Sequence, residues 1–422
     1  MNSTRHDLAA PASADRGAGG PWRRRLLESL DGMRGGRISV HDAHGVQVVG
    51  ERTAVDPLDV GLRVHDQRFY RRAALGGSVG AAESYIDGDW DCDDLVGLVR
   101  LLVRNRDRLD AMETGPARVA AWALRGWEAL RPNSRSGSRR NIAAHYDLGN
   151  PLFETFLSPD MMYSSAIYTS PDDTLEDAST RKLEAICRKL ALGPGDHVAE
   201  IGTGWGGFAL HAARHHGCRV TSVTLSAEQQ GYAQARILEA GLQERITVEL
   251  RDYRDFHGRF DKLVSIEMIE AIGASQLPTY FSRLSGLLRD DGLALVQAIT
   301  IEDHRYQRSL REVDFIKRHV FPGSFIPSTS AMLAAMARYS DLALLDLQEI
   351  GGSYALTLRA WRQRFEPARE RVLALGCDER FIRLWRFYLC YCEGGFLERS
   401  IGNVQLLFAR PGHRDHVTAV TG

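Results

Sequence analysis

Residues 198–207 limit the fold of this 422-residue chain more than any other stretch, because Glu200 is followed by glycines at 202, 204, 206 and 207. A short apolar run precedes them and a helical pattern follows. Glycines at such a junction let the backbone turn tightly and let a ligand come close to a helix N-terminus. Apolar runs of strand length recur at 197–201, 219–225, 246–250, 262–266 and 292–299, with helical patterns at 207–216, 227–240 and 280–288. Alternation of this kind predicts an α/β fold: a mainly parallel sheet with helices on both faces.

Two readings compete for the glycine loop. A dinucleotide site expects an acidic residue about 20 positions farther on, at the end of the second strand. That place holds Ser222, Thr224 and Ser226 instead, so the ribose anchor of an NAD site is missing. An acidic residue two positions before the first glycine suits a ligand with a cationic or hydroxyl-rich end. It resembles the first motif of class I S-adenosylmethionine-dependent methyltransferases. On that reading Glu200, Gly202, Gly204, Trp205 and Gly206 bind S-adenosylmethionine, with Thr224 and Gln229 at the second strand end and Tyr253 at the third.

Lysine and arginine number 53 against 54 acidic residues, so the chain offers no general attraction to nucleic acid or anionic lipid. With 44% hydrophobic and 25% charged residues it is a folded globular chain, not a disordered one. Its six cysteines form no CxxC pair, which predicts reduced thiols in a cytosolic protein, with neither a disulfide framework nor a metal site. No apolar run approaches the roughly 20 residues that cross a bilayer. Residues 1–25 mix arginines with aspartates and read as a flexible tail. Ile38, Val40, Val46 and Val48 alternate around a turn at 42–45, which predicts a hairpin, and apolar residues across 95–103 recur at helical spacing. A small mixed α+β domain is thus expected over 26–130, then a breaker-rich linker at 131–140, a catalytic domain over 141–410 and a tail at 411–422.

Several further stretches narrow the family. They are Asn141, His145, Tyr146, Asp147 and Asn150; Met162, Tyr163, Ser164, Ser165 and Ala166; the loop at 200–207; residues 224–230; Met268, Ile269 and Glu270; and Phe321, Pro322 and Gly323. In this order and spacing they resemble the cyclopropane-fatty-acyl-phospholipid synthases. Glu83, Tyr85, Gly88 and Trp90 are similar to the N-terminal domain of long bacterial members. The resemblance implies a Rossmann-like class I methyltransferase core with a seven-stranded sheet, and a lipid-docking role for residues 26–130. It adds Tyr163 and Ser164 to the cofactor-binding set. It also implies methyl transfer from S-adenosylmethionine to the cis double bond of an unsaturated phospholipid chain, through a carbocation that closes to a cyclopropane ring.

In that family the base is a bound bicarbonate. The resemblance places its cage at Ser165, Glu270, Gln297, Ile299 and Tyr354, with Ser165 standing where a cysteine is usual and Gln297 where a histidine is usual. Serine and glutamine still donate hydrogen bonds, so bicarbonate binding is expected. Without the anion the cation would lose another proton or be reduced, giving a methylene- or methyl-branched chain. Arg311, Lys317, Arg318 and His319, beside Phe315, Ile316, Val320 and Phe321, are the expected contacts with a phospholipid bilayer surface, and the aromatic stretch 384–391 is a candidate wall of the chain tunnel. The expected location is cytoplasmic, peripheral to the inner face of the membrane, with no nucleic-acid partner and with a homodimer left open.

Overall fold

The computed structural model describes residues 20–53, 55–112 and 149–414. The linker at 131–140 and the motif residues Asn141, His145, Tyr146 and Asp147 lie outside the described residues, as do residues 1–19 and 415–422.

The first unit runs α1 (Pro21–Asp31), β1 (Gly36–Asp42), β2 (Gly45–Val49), β3 (Leu58–Val64), α2 (Arg68–Ile86), β4 (Trp90–Cys92), α3 (Leu95–Arg104) and α4 (Arg106–Met112). Its sheet has the order β2-β1-β3-β4, and the expected hairpin pairs Ile38 with Val49 and Asp42 with Gly45. The expected tail is too long by five residues: α1 begins at Pro21, where proline's fixed φ suits a first helical turn, and Arg23 Nε donates to Asp42 at 2.6 Å.

The second unit contains α5 (Leu175–Lys189), β5 (His197–Ile201), α6 (Gly207–His216), β6 (Arg219–Thr224), α7 (Ala227–Glu239), β7 (Ile246–Leu250), β8 (Phe260–Ile266), α8 (Leu277–Leu287) and β9 (Leu288–Ile301). After α9 (Phe315–His319) and α10 (Thr329–Tyr339) come β10 (Ala343–Glu349), α11 (Gly351–Phe365), α12 (Glu379–Leu397) and β11 (Ile401–Ala409). Seven strands take the order β10-β11-β9-β8-β5-β6-β7. The five from β9 to β7 are parallel, and β11 is antiparallel to both neighbours. This is the class I methyltransferase architecture, and it puts the glycine loop at the carboxyl end of the central strand β5, where open α/β sheets bind ligands.

The two units share one apolar core. Tyr85, Trp90, Leu98 and Leu101 join Trp385, Phe387 and Leu389 of α12 in a single buried cluster. Arg100 and Arg104 both donate to the Glu398 carboxylate, at 2.7 and 2.9 Å, and Arg383 donates to the carbonyls of Tyr85 and Trp90.

The basic helix α9, expected at the membrane, has its charges engaged inside the molecule. Phe315 is fully buried, Arg318 and His319 meet Glu83 Oε1 at 2.7 and 3.2 Å, and Lys317 donates to the carbonyls of Ser309 and Glu312. Partnered cations tie α9 to α2 and leave less charge for lipid phosphates. Among the described residues no helix is long and apolar enough to cross a membrane.

Candidate active site

The loop after β5 is built from three consecutive requirements. Gly202, Gly204 and Gly206 all have positive φ, at 99°, 52° and 85°. Gly207 has no such φ but needs its missing side chain: a Cβ there would lie 2.5 Å from the Asp160 carbonyl and 2.6 Å from Met162 Sδ. The segment carrying Tyr163, Ser164 and Ser165 is therefore laid directly against the loop. Trp205 is buried and braces the turn, its indole N–H donating to Asn150 Oδ1 at 2.7 Å. It supports the cofactor loop from the core rather than lining it.

Glu200 sits at the end of β5 and accepts from Ser222 Oγ at 2.5 Å, while Ser222 and Thr203 share a second hydroxyl contact at 2.6 Å. Burial pushes the Glu200 carboxyl up to about 8, opposed by the Ser222 hydroxyl and by Lys182. Lys182, on α5, is fully buried and donates to Ser164 Oγ at 3.0 Å. Burial draws its ammonium down to about 8 against the pull of Asp160, Glu267 and Glu200. At the next strand end Thr224 donates to Gln229 Oε1 at 2.9 Å. Tyr253 lines a small cleft with Leu225, Asp252, Met268, Ala271 and Ile272. Glu200, Thr224 and Tyr253 thus lie at or just past the carboxyl ends of the adjacent strands β5, β6 and β7.

The expected cage residues also come together, around a carboxylate that the sequence reading did not single out. Glu267, just past β8, receives the Ser165 backbone N–H at 3.0 Å, Gln297 Nε2 at 2.8 Å and Asn403 Nδ2 at 2.6 Å on Oε1. The Tyr354 hydroxyl donates to Oε2 at 2.8 Å. Gln405 Nε2 donates to Gln297 Oε1 at 3.0 Å, which fixes the Gln297 amide with its N–H2 toward the carboxylate. The other two expected cage residues pair with each other instead, the Ile299 backbone N–H donating to Glu270 Oε1 at 2.6 Å. Glu270 Oε2 is buried and has no hydrogen-bond partner among the described residues. Burial, and then the charge of Glu267, push the Glu270 carboxyl up to about 8.

Glu267 has φ +49°, a left-handed conformation that costs a side-chain-bearing residue about 1 to 3 kcal/mol. Next to it, Met268 lies 3.2 Å from where a Gly202 side chain would begin, so the carboxylate adjoins the cofactor loop. Aromatic rings wall the same place. Tyr354 stacks on Phe396 with centroids 4.5 Å apart and meets Trp361 edge-on at 6.0 Å, while Tyr163 packs on Trp361 at 5.3 Å and shares a hydroxyl contact of 2.8 Å with Tyr388. Tyr388 belongs to the stretch expected to wall the chain tunnel.

A bicarbonate does not fit this arrangement. Its donors at Ser165, Gln297 and Tyr354 are taken by Glu267, and among the described residues no cation pairs directly with that carboxylate to offset a second anion beside it.

The mycolic acid cyclopropane synthetase family model matches residues 133–406. The chain belongs to this family. It is 38% identical over 371 residues to the tuberculostearic acid methyltransferase UfaA1 of Mycobacterium tuberculosis, covering 85% of each chain. It is 36% identical over 353 residues to the cyclopropane-fatty-acyl-phospholipid synthase of Escherichia coli K12, covering 83% of this chain and 87% of that one. The solved mycolic acid cyclopropane synthase CmaA1, complexed with SAH and CTAB, superposes with a TM-score of 0.60 at 27% identity, covering 64% of this chain and 98% of that one. Coclaurine N-methyltransferase, at 18% identity and a TM-score of 0.60, shares the fold. This family member is an S-adenosylmethionine-dependent methyltransferase.

Proposed function

We propose that this family member methylates the cis double bond of an unsaturated phospholipid acyl chain and closes the product to a cyclopropane ring. The observation that supports this most is the cluster of aromatic rings, Tyr163, Tyr354, Trp361 and Phe396, beside a hydrogen-bonded carboxylate that adjoins the glycine loop. An alkene needs no deprotonation before it attacks; it needs a dry site and help for the carbocation that follows. The alkene π electrons take the methyl carbon of S-adenosylmethionine, the C–S bond breaks, and S-adenosylhomocysteine leaves. Ring faces such as Tyr354 and Trp361 stabilise a nearby cation by about 0.5 to 2 kcal/mol each. The cation then loses a proton from the added methyl, and the C–H electrons close the ring.

A second reading has its own support in the 38% identity to a tuberculostearic acid methyltransferase. There the cation loses a different proton and leaves a methylene branch, which a separate reductant turns into methyl. In both readings the enzyme works peripherally at a bilayer, on the cytoplasmic face.

Purified enzyme, S-adenosylmethionine and vesicles of unsaturated phospholipid decide between them. Mass spectrometry with chemical derivatisation of double bonds separates a ring from a methylene chain. The ring is the expected product; methylene chains alone would overturn it, and equal turnover on a soluble acceptor without vesicles would overturn both lipid readings.

A further inference from the structure

Resting on the acyl-chain reading, we propose that the Glu267 carboxylate is the resident general base of this enzyme, so that turnover requires no bicarbonate. The geometry assigns the two oxygens different tasks. Oε1 is saturated by Ser165, Gln297 and Asn403, which anchor the group, while among the described residues Oε2 takes only the Tyr354 hydroxyl and keeps a lone pair for an incoming proton. Among the described residues three N–H groups and one hydroxyl converge on the group, an arrangement that suits a carboxylate. The side chain stays partly accessible, as a group that meets substrate must.

Two further observations point the same way. The left-handed backbone at Glu267 would suit glycine better, so the chain accepts strain to present a side chain here. Gln297, which replaces a histidine in the resemblance, gives its side-chain amide to this carboxylate, whereas the Ser165 hydroxyl goes to the Ala166 carbonyl and only its backbone N–H reaches Glu267. The Gln297 amide is itself held by Gln405 of β11, so three elements cooperate in its placement.

The step balances without an outside reagent. After methyl transfer the substrate is a carbocation and the cofactor is neutral S-adenosylhomocysteine. Glu267 Oε2 takes a proton from the added methyl, the freed C–H pair forms the closing C–C bond, and the neutral Glu267 acid returns its proton to water when product leaves.

The test compares wild-type enzyme, Glu267→Gln and Glu267→Gly on unsaturated phospholipid vesicles, in carbon-dioxide-free buffer with and without added bicarbonate. Calorimetry of S-adenosylmethionine binding reports folding of each variant. Wild type should turn over equally in both buffers, and Glu267→Gln should bind cofactor but lose about 100-fold or more in kcat, the range of a lost general base. Glu267→Gly relieves the backbone and opens a space ringed by the same donors, so added formate or bicarbonate should restore part of its rate. A wild type that stops without bicarbonate and recovers with it, or a Glu267→Gln variant at full rate, would overturn the resident base while leaving acyl-chain methylation intact. Absence of any lipid product from wild type in either buffer would defeat the acyl-chain reading, and the base with it.

Discussion

The Tyr354 hydroxyl donates to Glu267 Oε2 at 2.8 Å, joining α11 to the end of β8 across the site. A hydrogen bond to a charged group is worth about 1.5 to 3 kcal/mol, or roughly ten- to a hundredfold in rate. Tyr354→Phe keeps the ring stacked on Phe396 and removes only that donor. Its kcat should fall by about this factor while S-adenosylmethionine affinity holds, as steady-state kinetics and calorimetry would read. A loss of cofactor binding instead would show that the tyrosine supports the loop rather than the carboxylate.

Gly207→Ala should be felt in two measurements at once. The new methyl collides with the Asp160 carbonyl and Met162 Sδ, and overpacking of this sort costs about 1 to 3 kcal/mol. A lowered Tm should accompany weaker S-adenosylmethionine binding, because the 160–165 segment must shift away from the loop. Alanine at Gly231, which has open space and an ordinary helical backbone in α7, serves as the control and should leave cofactor affinity unchanged.

The contact between α2 and α9 should loosen in acid. The hydrogen bond from His319, with Arg318 adding to it against the effect of burial, holds the Glu83 carboxyl down at about 2, below its ordinary 4.5. A depressed carboxyl stabilises the fold above its unfolded value and loses that contribution as pH falls from about 4.5 toward 2. Pepsin should cut α2 increasingly across that window, and Glu83→Gln should be cut to a similar degree throughout it. Cleavage of wild type that does not vary with pH would sink the prediction.

Glu200 and Glu270 carry the opposite sign. Both are raised to about 8, so between 4.5 and 8 the folded chain holds protons that the unfolded chain has lost. Stability therefore falls as pH rises through this range. Denaturant titrations from pH 5 to 8 should show the decline, and Glu270→Gln, which mimics the protonated form, should reduce its slope.

Much of the fold is readable in the chain because it is local. The glycines after Glu200, the apolar runs of β5 to β9 and the helix at α6 are each specified within a few residues, and each appears within a few positions of where it was expected. The site was readable through the family resemblance rather than locally: it named Ser165, Gln297 and Tyr354, which the structure brings onto one carboxylate. What they converge on was hidden by its neighbour. Glu267 stands three positions before the motif residue Glu270, and nothing in the spacing tells which of two carboxylates faces the donors; that follows from the left-handed turn after β8. The signal was indirect: Gln297, where the resemblance expects a histidine, is the altered position whose side chain meets Glu267. Lys182, Asn403 and Gln405 left no local trace, because their roles arise only when α5 and β11 pack against distant strands.

The apolar cluster spanning both units bears on how the protein must be made. Phe387 packs on Tyr85 with centroids 5.5 Å apart and Gly394 lies against Val99, so α12 takes part of its cover from α2 and α3. A truncated recombinant version starting at the glycine loop's own unit would emerge with an oily flank bare to water, prone to clump before any chemistry could be assayed.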